Sequence, residues 1–85
     1  MADEDILQRI RKVIMNQKGF GKVREDDIGL NSSLRKDLRF DSLALVELSI
    51  ACEDEFGIEI PAEDTEYDNI DTIREAITYF SRKLK

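Results

Sequence analysis

The sequence predicts an all-α fold, a small four-helix bundle with three long helices, one short helix and a long loop between the first and second helices. Two observations predict it: apolar residues recur at helical spacing in separate stretches, and no stretch reads convincingly as a strand. One proline and four glycines leave room for long regular segments. A chain of 85 residues holds one core, so residues 1–85 are expected to form a single domain.

The first helix is expected from Asp3 to about Gln17, with Lys18 and Gly19 as its C-terminal end. Acidic residues at positions 3–5 suit the positive end of the helix dipole. One side of the helix is apolar and is expected to face the core; it carries Ile6, Leu7, Ile10, Val13 and Ile14.

Residues 18–40 are expected to form the long loop, because glycines at positions 19, 21 and 29 interrupt any regular element. Short turns are expected at residues 24–27 and 34–38. Spaced apolar side chains are expected to anchor the loop to the core: Phe20, Val23, Ile28, Leu30, Leu34 and Leu38. A loop of this length in a small domain is often functional.

The second helix is expected from Ser42 to near Phe56, with Asp41 as N-cap and Gly57 as the terminating residue. It has two apolar stripes, whereas a surface helix of a small monomer needs one. The first stripe, expected in the core, consists of Leu45, Leu48, Cys52 and Phe56. The second consists of Leu43, Val46 and Ile50, flanked by Glu47 and Asp54. Either another helix covers this second stripe, or it is a docking surface whose acids pair with basic partners.

A short third helix is expected from Pro61 to about Thr65, since proline is favoured in a first helical turn. The last helix is expected to start near Thr72, which has capping-box spacing to Glu75. Its buried stripe is expected to consist of Ile73, Ala76, Ile77, Phe80 and Leu84. Cations at positions 82, 83 and 85 suit the negative end of the helix dipole.

The net charge of −6 argues against nucleic acid or anionic lipid as a partner and suits proteins with basic patches. Cys52 is the only cysteine, which excludes an internal disulfide and indicates a reducing, cytoplasmic location. No signal or membrane-spanning stretch is visible, so we expect a free-standing cytoplasmic monomer.

The sequence lacks the residue patterns that a metal site or a catalytic site needs. The acids near the third helix lack the central glycine and ligand spacing of an EF-hand, although weak divalent binding stays open; they are Glu63, Asp64, Glu66, Asp68 and Asp71. No histidine is present, and no Cys/His pair can activate a nucleophile. Cys52 lies on the core stripe and is expected to act as a small buried hydrophobe.

The tripeptide 41–43 alone indicates only a helix cap, but it lies within a longer ordered pattern. The runs DLRFDSL (37–43), VEL (46–48) and EDEFGIEIP (53–61) follow in order, and AITY (76–79) falls in the last helix. Together these runs resemble the acyl carrier protein family of phosphopantetheine-binding carrier domains. The resemblance covers nearly the whole chain and is tightest over residues 37–66.

The resemblance implies a carrier rather than an enzyme. In the family, a transferase attaches 4′-phosphopantetheine from coenzyme A to the serine that Ser42 matches, between Asp41 and Leu43. The arm then carries acyl groups as thioesters to enzymes of fatty acid, lipid or polyketide biosynthesis. Implied partners are a phosphopantetheinyl transferase and acyl-loading and acyl-processing enzymes with basic docking patches. Candidate residues for an acyl-chain cavity, which are equally candidates for plain core packing, are Leu48, Cys52, Ile60, Ile73 and Ile77.

The sequence departs from the family around Ser42. Arg39 and Phe40 stand where a glycine and a small residue are usual, Ala44 replaces a common acid, and Arg35 and Lys36 make the approach more basic. We therefore expect a specialised, free-standing bacterial-type carrier, with neutral drift in a housekeeping member as the alternative. Expected docking residues are Arg39, Phe40, Val46, Glu47, Ile50 and Asp54.

Two rival functions share the predicted fold. An aminoacyl or peptidyl carrier uses the same serine and arm, and the acidic run at 53–61 only favours an acyl carrier over it. A helical adaptor that lost the arm predicts an unmodified Ser42.

Overall fold

The computed structural model describes residues 2–18 and 23–84, without the side chain of Glu25. Its α-helices are, in chain order, α1 (Asp3–Lys18), α2 (Ser42–Phe56), α3 (Thr65–Asp68) and α4 (Ile73–Lys83). A single 3-10 turn spans Glu25–Asp27, within the turn expected at residues 24–27. No β-strand occurs in these residues, so the predicted all-α four-helix fold is confirmed. The expected roles of Gly19, Phe20, Gly21 and Lys85 fall outside the described residues. None of the helices in the described ranges is long and apolar enough to cross a membrane.

Helix α1 lies at the centre of the packing and contacts both α2 and α4. On its apolar side Leu7 is only partly buried, and the residues buried as predicted are Ile6, Ile10, Val13 and Ile14. Withdrawing large aliphatic side chains from water stabilises the fold by about 1.5–3 kcal/mol each. The rings of Phe56 and Phe80 stack with centroids 4.9 Å apart and join α2 to α4. The buried residues of α4 are Ile73, Ala76, Ile77, Tyr79 and Phe80; Leu84 is only partly buried.

The expected position of α3 is wrong by one turn. The helix runs over Thr65–Asp68 and does not begin at Pro61. Residues 61–64 instead form a turn in which the Asp64 N–H donates to the Pro61 carbonyl at 3.1 Å. The Asp64 carboxylate accepts from the N–H groups of Glu66 and Tyr67, so Asp64 is the N-cap that sets the start of α3.

Helix α4 begins as predicted at the capping box formed by Thr72 and Glu75. The Thr72 hydroxyl accepts from the Glu75 N–H, and the Glu75 carboxylate accepts from the Thr72 N–H at 2.9 Å. Backbone N–H groups of Thr72 and Asp71 hold the pKa of Glu75 below its usual range, since they bond to its charged form.

The loop between α1 and α2 is fixed to the start of α4 by main-chain hydrogen bonds. The N–H groups of Ile73 and Arg74 donate to the carbonyls of Ser32 and Leu30, and the Leu34 N–H donates to the Asp71 carbonyl at 2.7 Å. A helix needs such partners for its first N–H groups, so the loop serves as part of the N-terminal cap of α4.

The apolar anchors of the loop divide into buried and exposed ones. Ile28, Leu34 and Leu38 are buried as predicted, and Val23 is partly buried. Leu30 is 38% exposed and is not part of the buried core, so it anchors the loop less than expected, and its carbonyl accepts from the Arg74 N–H.

Ser33 is a buried polar residue that links the loop to α4 through its side chain. Its hydroxyl donates to the carboxylate of Asp71, with oxygen distances of 2.9 and 2.8 Å, and accepts from the Lys36 N–H at 3.1 Å. A hydrogen bond to a charged group is worth about 1.5–3 kcal/mol. Ser33 and Asp71 therefore hold together two segments that are far apart in the sequence.

Replacing Ser33 with alanine is expected to lower the free energy of unfolding by about 2 kcal/mol, because the Asp71 carboxylate loses its donor. Urea denaturation followed by circular dichroism measures this loss. The matched control is Ser81→Ala, since Ser81 is half-buried in α4 and makes no side-chain hydrogen bond within the described ranges. That variant is expected to stay within about 0.5 kcal/mol. Equal losses of unfolding free energy in the two variants would contradict the stabilising role of the hydrogen bond between Ser33 and Asp71.

Candidate functional site

The start of α2 is fixed by Asp41. The Asp41 carboxylate accepts from the Ala44 N–H at 2.8 Å, and its carbonyl accepts from the Leu45 N–H at 2.9 Å. Gly57 ends the helix in the left-handed conformation with φ 64°, as predicted. Ser42 is therefore the first residue of α2, and its side chain is exposed.

The segment before Ser42 is held in place from two directions. The Phe40 N–H donates to the Leu34 carbonyl at 2.8 Å. From α1, the Lys18 ammonium donates to the Arg39 carbonyl at 3.2 Å and lies 4.4 Å from the centre of the Phe40 ring. Gln17 on α1 also donates to the Ala44 carbonyl at 2.8 Å. The position of Ser42 thus depends on the last turn of α1 as well as on α2.

The expected docking role of Phe40 needs correction. Its side chain is 3% exposed and belongs to the core, so it cannot contact a partner directly. An aromatic ring next to an exposed site is buried here because Lys18 and the core cover it. Arg39 is exposed, and its φ of 57° lies in the left-handed region.

The serines differ in solvent exposure and in the hydrogen bonds of their hydroxyl groups. Ser42 is exposed, whereas Ser32, Ser33, Ser49 and Ser81 are buried or partly buried. The hydroxyls of Ser32 and Ser49 donate to main-chain carbonyls, and that of Ser33 donates to Asp71. Ser42 is therefore the exposed serine among those that the structure describes.

A pocket of about 240 Å³ lies between α2, α3 and the loop, and Ser42 forms part of its wall. Its apolar walls are made by Leu34, Leu45, Val46 and Ile70. Its polar wall residues are Arg35, Ser49, Tyr67 and Asp68. The Ser49 and Tyr67 hydroxyl oxygens lie 2.7 Å apart, which joins α2 to α3.

Sequence reasoning does not select Ser49 or Tyr67 as site residues. The available signal is that Ser49 interrupts the apolar pattern of α2 next to Leu48 and Ile50. Its partner could not be read from the sequence, because the two residues meet only after α3 has packed against the bundle.

The residues expected to line an acyl-chain cavity lie in or against the core, and none of the five lines the pocket beside Ser42. Leu48, Cys52, Ile73 and Ile77 are buried, and Ile60 packs against them. An acyl chain would reach them only if the core opened. Their role toward cargo stays a prediction.

Cys52 is buried at 2% exposure, as predicted for a small hydrophobe. Burial, together with the nearby Glu55 carboxylate, raises the pKa of its thiol to about 12. The thiolate is the nucleophilic form of cysteine, so Cys52 is inert at neutral pH. Within residues 2–18 and 23–84, no group of three His, Cys, Asp or Glu side chains is arranged to hold a metal ion.

The second apolar stripe of α2 is exposed. Leu43, Val46 and Ile50 are 69%, 57% and 55% exposed, so no helix in the described ranges covers them. Glu47 and Asp54, which flank them, are exposed as well. These five residues form an apolar surface edged with acids that begins one residue after Ser42; we call it the α2 surface.

Helix α3 is attached to α4 by Asp64 and Tyr79. The Tyr79 hydroxyl donates to the Asp64 carboxylate at 2.6 Å, and Lys83 lies 3.9 Å from the same carboxylate. The bond from Tyr79, helped by the α3 N–H groups, holds the pKa of Asp64 below its usual range. Burial and the Asp64 carboxylate raise the pKa of Tyr79. An ion pair between Glu66 and Arg82 adds a second link. These contacts keep the α3 side of the pocket in place.

The structure is that of a small helical domain in which Ser42 is exposed at the first position of α2 and forms part of the wall of a pocket. A family model described as the phosphopantetheine attachment site matches residues 19–80. The chain belongs to this family of carrier domains, consistent with the resemblance to acyl carrier proteins. Domains of the family carry 4′-phosphopantetheine covalently on a serine and are carriers rather than catalysts.

Arg39→Gly is expected to leave the free energy of unfolding unchanged or to raise it by up to about 1 kcal/mol. Glycine relieves the left-handed strain of about 1–2 kcal/mol at this position, while its greater freedom in the unfolded chain costs about 0.4–1 kcal/mol. Chemical denaturation measures the difference.

The matched control for Arg39→Gly is Lys36→Gly, in the same loop. Lys36 is exposed, and Arg39 is the non-glycine residue with positive φ in the described part of the chain. Lys36→Gly therefore gains no relief of strain and is expected to lose about 0.5–1 kcal/mol. A loss at position 39 as large as that at position 36 would contradict the strain at Arg39.

Proposed function

We propose that the protein is an acyl carrier protein that carries its 4′-phosphopantetheine arm on Ser42. The observation that supports this most is the exposure of Ser42 at the first position of α2, whereas the other serines are buried or partly buried. Ser42 is also the serine of the DSL motif, within the residues that match the family.

The surroundings of Ser42 fit a phosphodiester. The first N–H groups of a helix favour a negatively charged ligand. Asp41 engages the N–H groups of Ala44 and Leu45, and no acceptor for those of Ser42 and Leu43 occurs among the described residues. The arm, once attached, supplies a terminal thiol that holds cargo as a thioester. The chain itself supplies a fixed attachment point and a surface for partners.

Acyl groups are the proposed cargo, presented to enzymes of fatty acid, lipid or polyketide biosynthesis. Leu34, Leu45 and Ile70 give the pocket beside Ser42 apolar walls, which suit a hydrocarbon chain. The second candidate is an aminoacyl or peptidyl carrier, which would use the same arm. Mass spectrometry of the naturally loaded protein separates the two, because an amino acid on the arm would contradict the acyl assignment.

The α2 surface is the proposed docking site for the transferase and for the loading and processing enzymes. Leu43, Val46 and Ile50 offer apolar contact area, and Glu47 and Asp54 offer charges for basic partner patches. Exposed Arg39 is included in this proposal, and Phe40 is not, because it is buried.

We further propose a specialised carrier that acts in the reducing cytoplasm. The lone Cys52 suits such a compartment. Arg39 and Ala44 replace residues that are usual in the family around the serine, and Arg39 keeps a strained backbone there. Strain of this kind is often retained for a functional reason.

Ser42→Ala is expected to abolish attachment of the arm while helicity is retained, because the variant lacks the nucleophilic oxygen but keeps the Asp41 cap. Intact mass after incubation with coenzyme A and a broadly active phosphopantetheinyl transferase measures attachment. Ser81→Ala, the matched control, is expected to gain one arm. An unmodified wild-type chain would contradict the carrier function and favour the adaptor alternative.

Glu47→Lys is expected to slow arm attachment by roughly tenfold, with a weaker dependence on salt, because the reversed charge removes steering toward a basic partner patch. Initial rates at low and high ionic strength measure the effect. The control is Glu59→Lys, which makes the same change in net charge at an exposed position outside α2. Equal slowing by both variants would point to net charge and argue against docking on α2.

A further inference from the structure

We propose that the Ser49–Tyr67 pair makes the pocket beside Ser42 selective for acyl cargo that bears a hydroxyl group. This inference rests on the proposed function, since the cargo reaches the pocket through an arm on Ser42. It goes beyond that function because it names a chemical class of cargo and the two residues that select it.

The hydrogen bonds of the pair determine which groups it can still bind. The Ser49 hydroxyl has one proton, which it donates to the Leu45 carbonyl at 2.9 Å. Either hydroxyl could donate across the 2.7 Å contact between Ser49 and Tyr67; because Leu45 takes the Ser49 proton, we assign the donor to Tyr67. Both protons are used. The Tyr67 oxygen keeps its lone pairs, so the pair offers an acceptor and no donor.

A group bound in the pocket can therefore form a hydrogen bond with this pair only if it is a donor. A hydroxyl on the acyl chain can donate to a free lone pair of the Tyr67 oxygen. An unsubstituted chain covers that lone pair without replacing its hydrogen bond to water, and one net hydrogen bond is worth about 0.5–1.5 kcal/mol. A keto group has no proton to donate to the Tyr67 oxygen.

The pair is held in position in a partly buried site. Tyr67 packs edge-on against the ring of Tyr79 at 5.3 Å, and Tyr79 is fixed by its bond to Asp64. Burial raises the pKa of Tyr67 to about 12, so its phenol is neutral at physiological pH. The packing of Tyr67 and its neutral phenol both keep the hydrogen-bonding pattern of the Ser49–Tyr67 pair fixed at the wall of the pocket.

The pocket suits a neutral donor better than an ammonium group. Arg35 lines the same pocket and its positive charge opposes a second cation, and Asp68 is exposed to water. The pair itself is neutral and cannot compensate a buried charge. The remaining walls are apolar, and the volume of about 240 Å³ holds several non-hydrogen atoms, since one water takes about 30 Å³.

The test compares cargoes of matched size on the full chain. A transferase loads butyryl, β-hydroxybutyryl or β-aminobutyryl phosphopantetheine from the coenzyme A thioester onto wild type, Tyr67→Phe and Ser81→Ala, and intact mass confirms each product. The rate of thioester cleavage by hydroxylamine then reports how far each cargo is sheltered. Amide chemical shifts of residues 49 and 67 report contact with the pocket.

The expected result is that β-hydroxybutyryl is cleaved about fivefold more slowly than butyryl on wild type, the size of one hydrogen bond. Tyr67→Phe keeps the ring and is expected to remove the difference. Ser81→Ala, which removes a hydroxyl outside the pocket wall, is expected to keep it. The shifts at residues 49 and 67 are expected to change with the hydroxylated cargo.

Three results would overturn the inference: equal cleavage of the butyryl and β-hydroxybutyryl cargoes on wild type, a preference that survives in Tyr67→Phe, or a larger protection of the β-aminobutyryl cargo. Failure at an earlier step has a different meaning. If no cargo loads at Ser42, the proposed function is refuted and this inference falls with it, whereas loading followed by equal cleavage refutes this inference alone.

Discussion

The contact between the Leu34 N–H and the Asp71 carbonyl is the interaction on which the site depends. It fixes an irregular loop to the start of α4, and Leu34 in turn accepts from the Phe40 N–H. Asp41 follows directly and caps α2. A short series of hydrogen bonds therefore connects α4 to the position of Ser42, and the same loop forms one wall of the pocket.

In the proposed function, α2 combines a role in the core with a role in docking. Leu48, Cys52 and Phe56 bury one side in the core, while Leu43 and Ile50 stay exposed. Exposed apolar area of this kind favours association, and acids along its edge limit association to partners of complementary charge. The fold supports this arrangement because α1 and α4 bury enough apolar surface without the second stripe.

Local chemistry made α2 and α4 predictable from the sequence. Asp41 and Gly57 mark both ends of α2, and Thr72 with Glu75 marks the start of α4, because caps act within one turn of chain. The predicted start of α3 was wrong because Pro61 suits a turn as well as a helix. Only the packed fold decides which of the two forms. Burial of Phe40 and the pairing of Ser49 with Tyr67 were likewise unpredictable, since both depend on residues distant in sequence.

Burial of Cys52 has a consequence for the fidelity of a thioester carrier. A thioester exchanges readily with any accessible thiolate, so a reactive cysteine on the carrier would compete with the arm for its own cargo. With its thiol buried and its pKa raised to about 12, Cys52 cannot take part in such self-transfer. The same property makes the arm the site at which a thiol reagent at neutral pH would label the native protein.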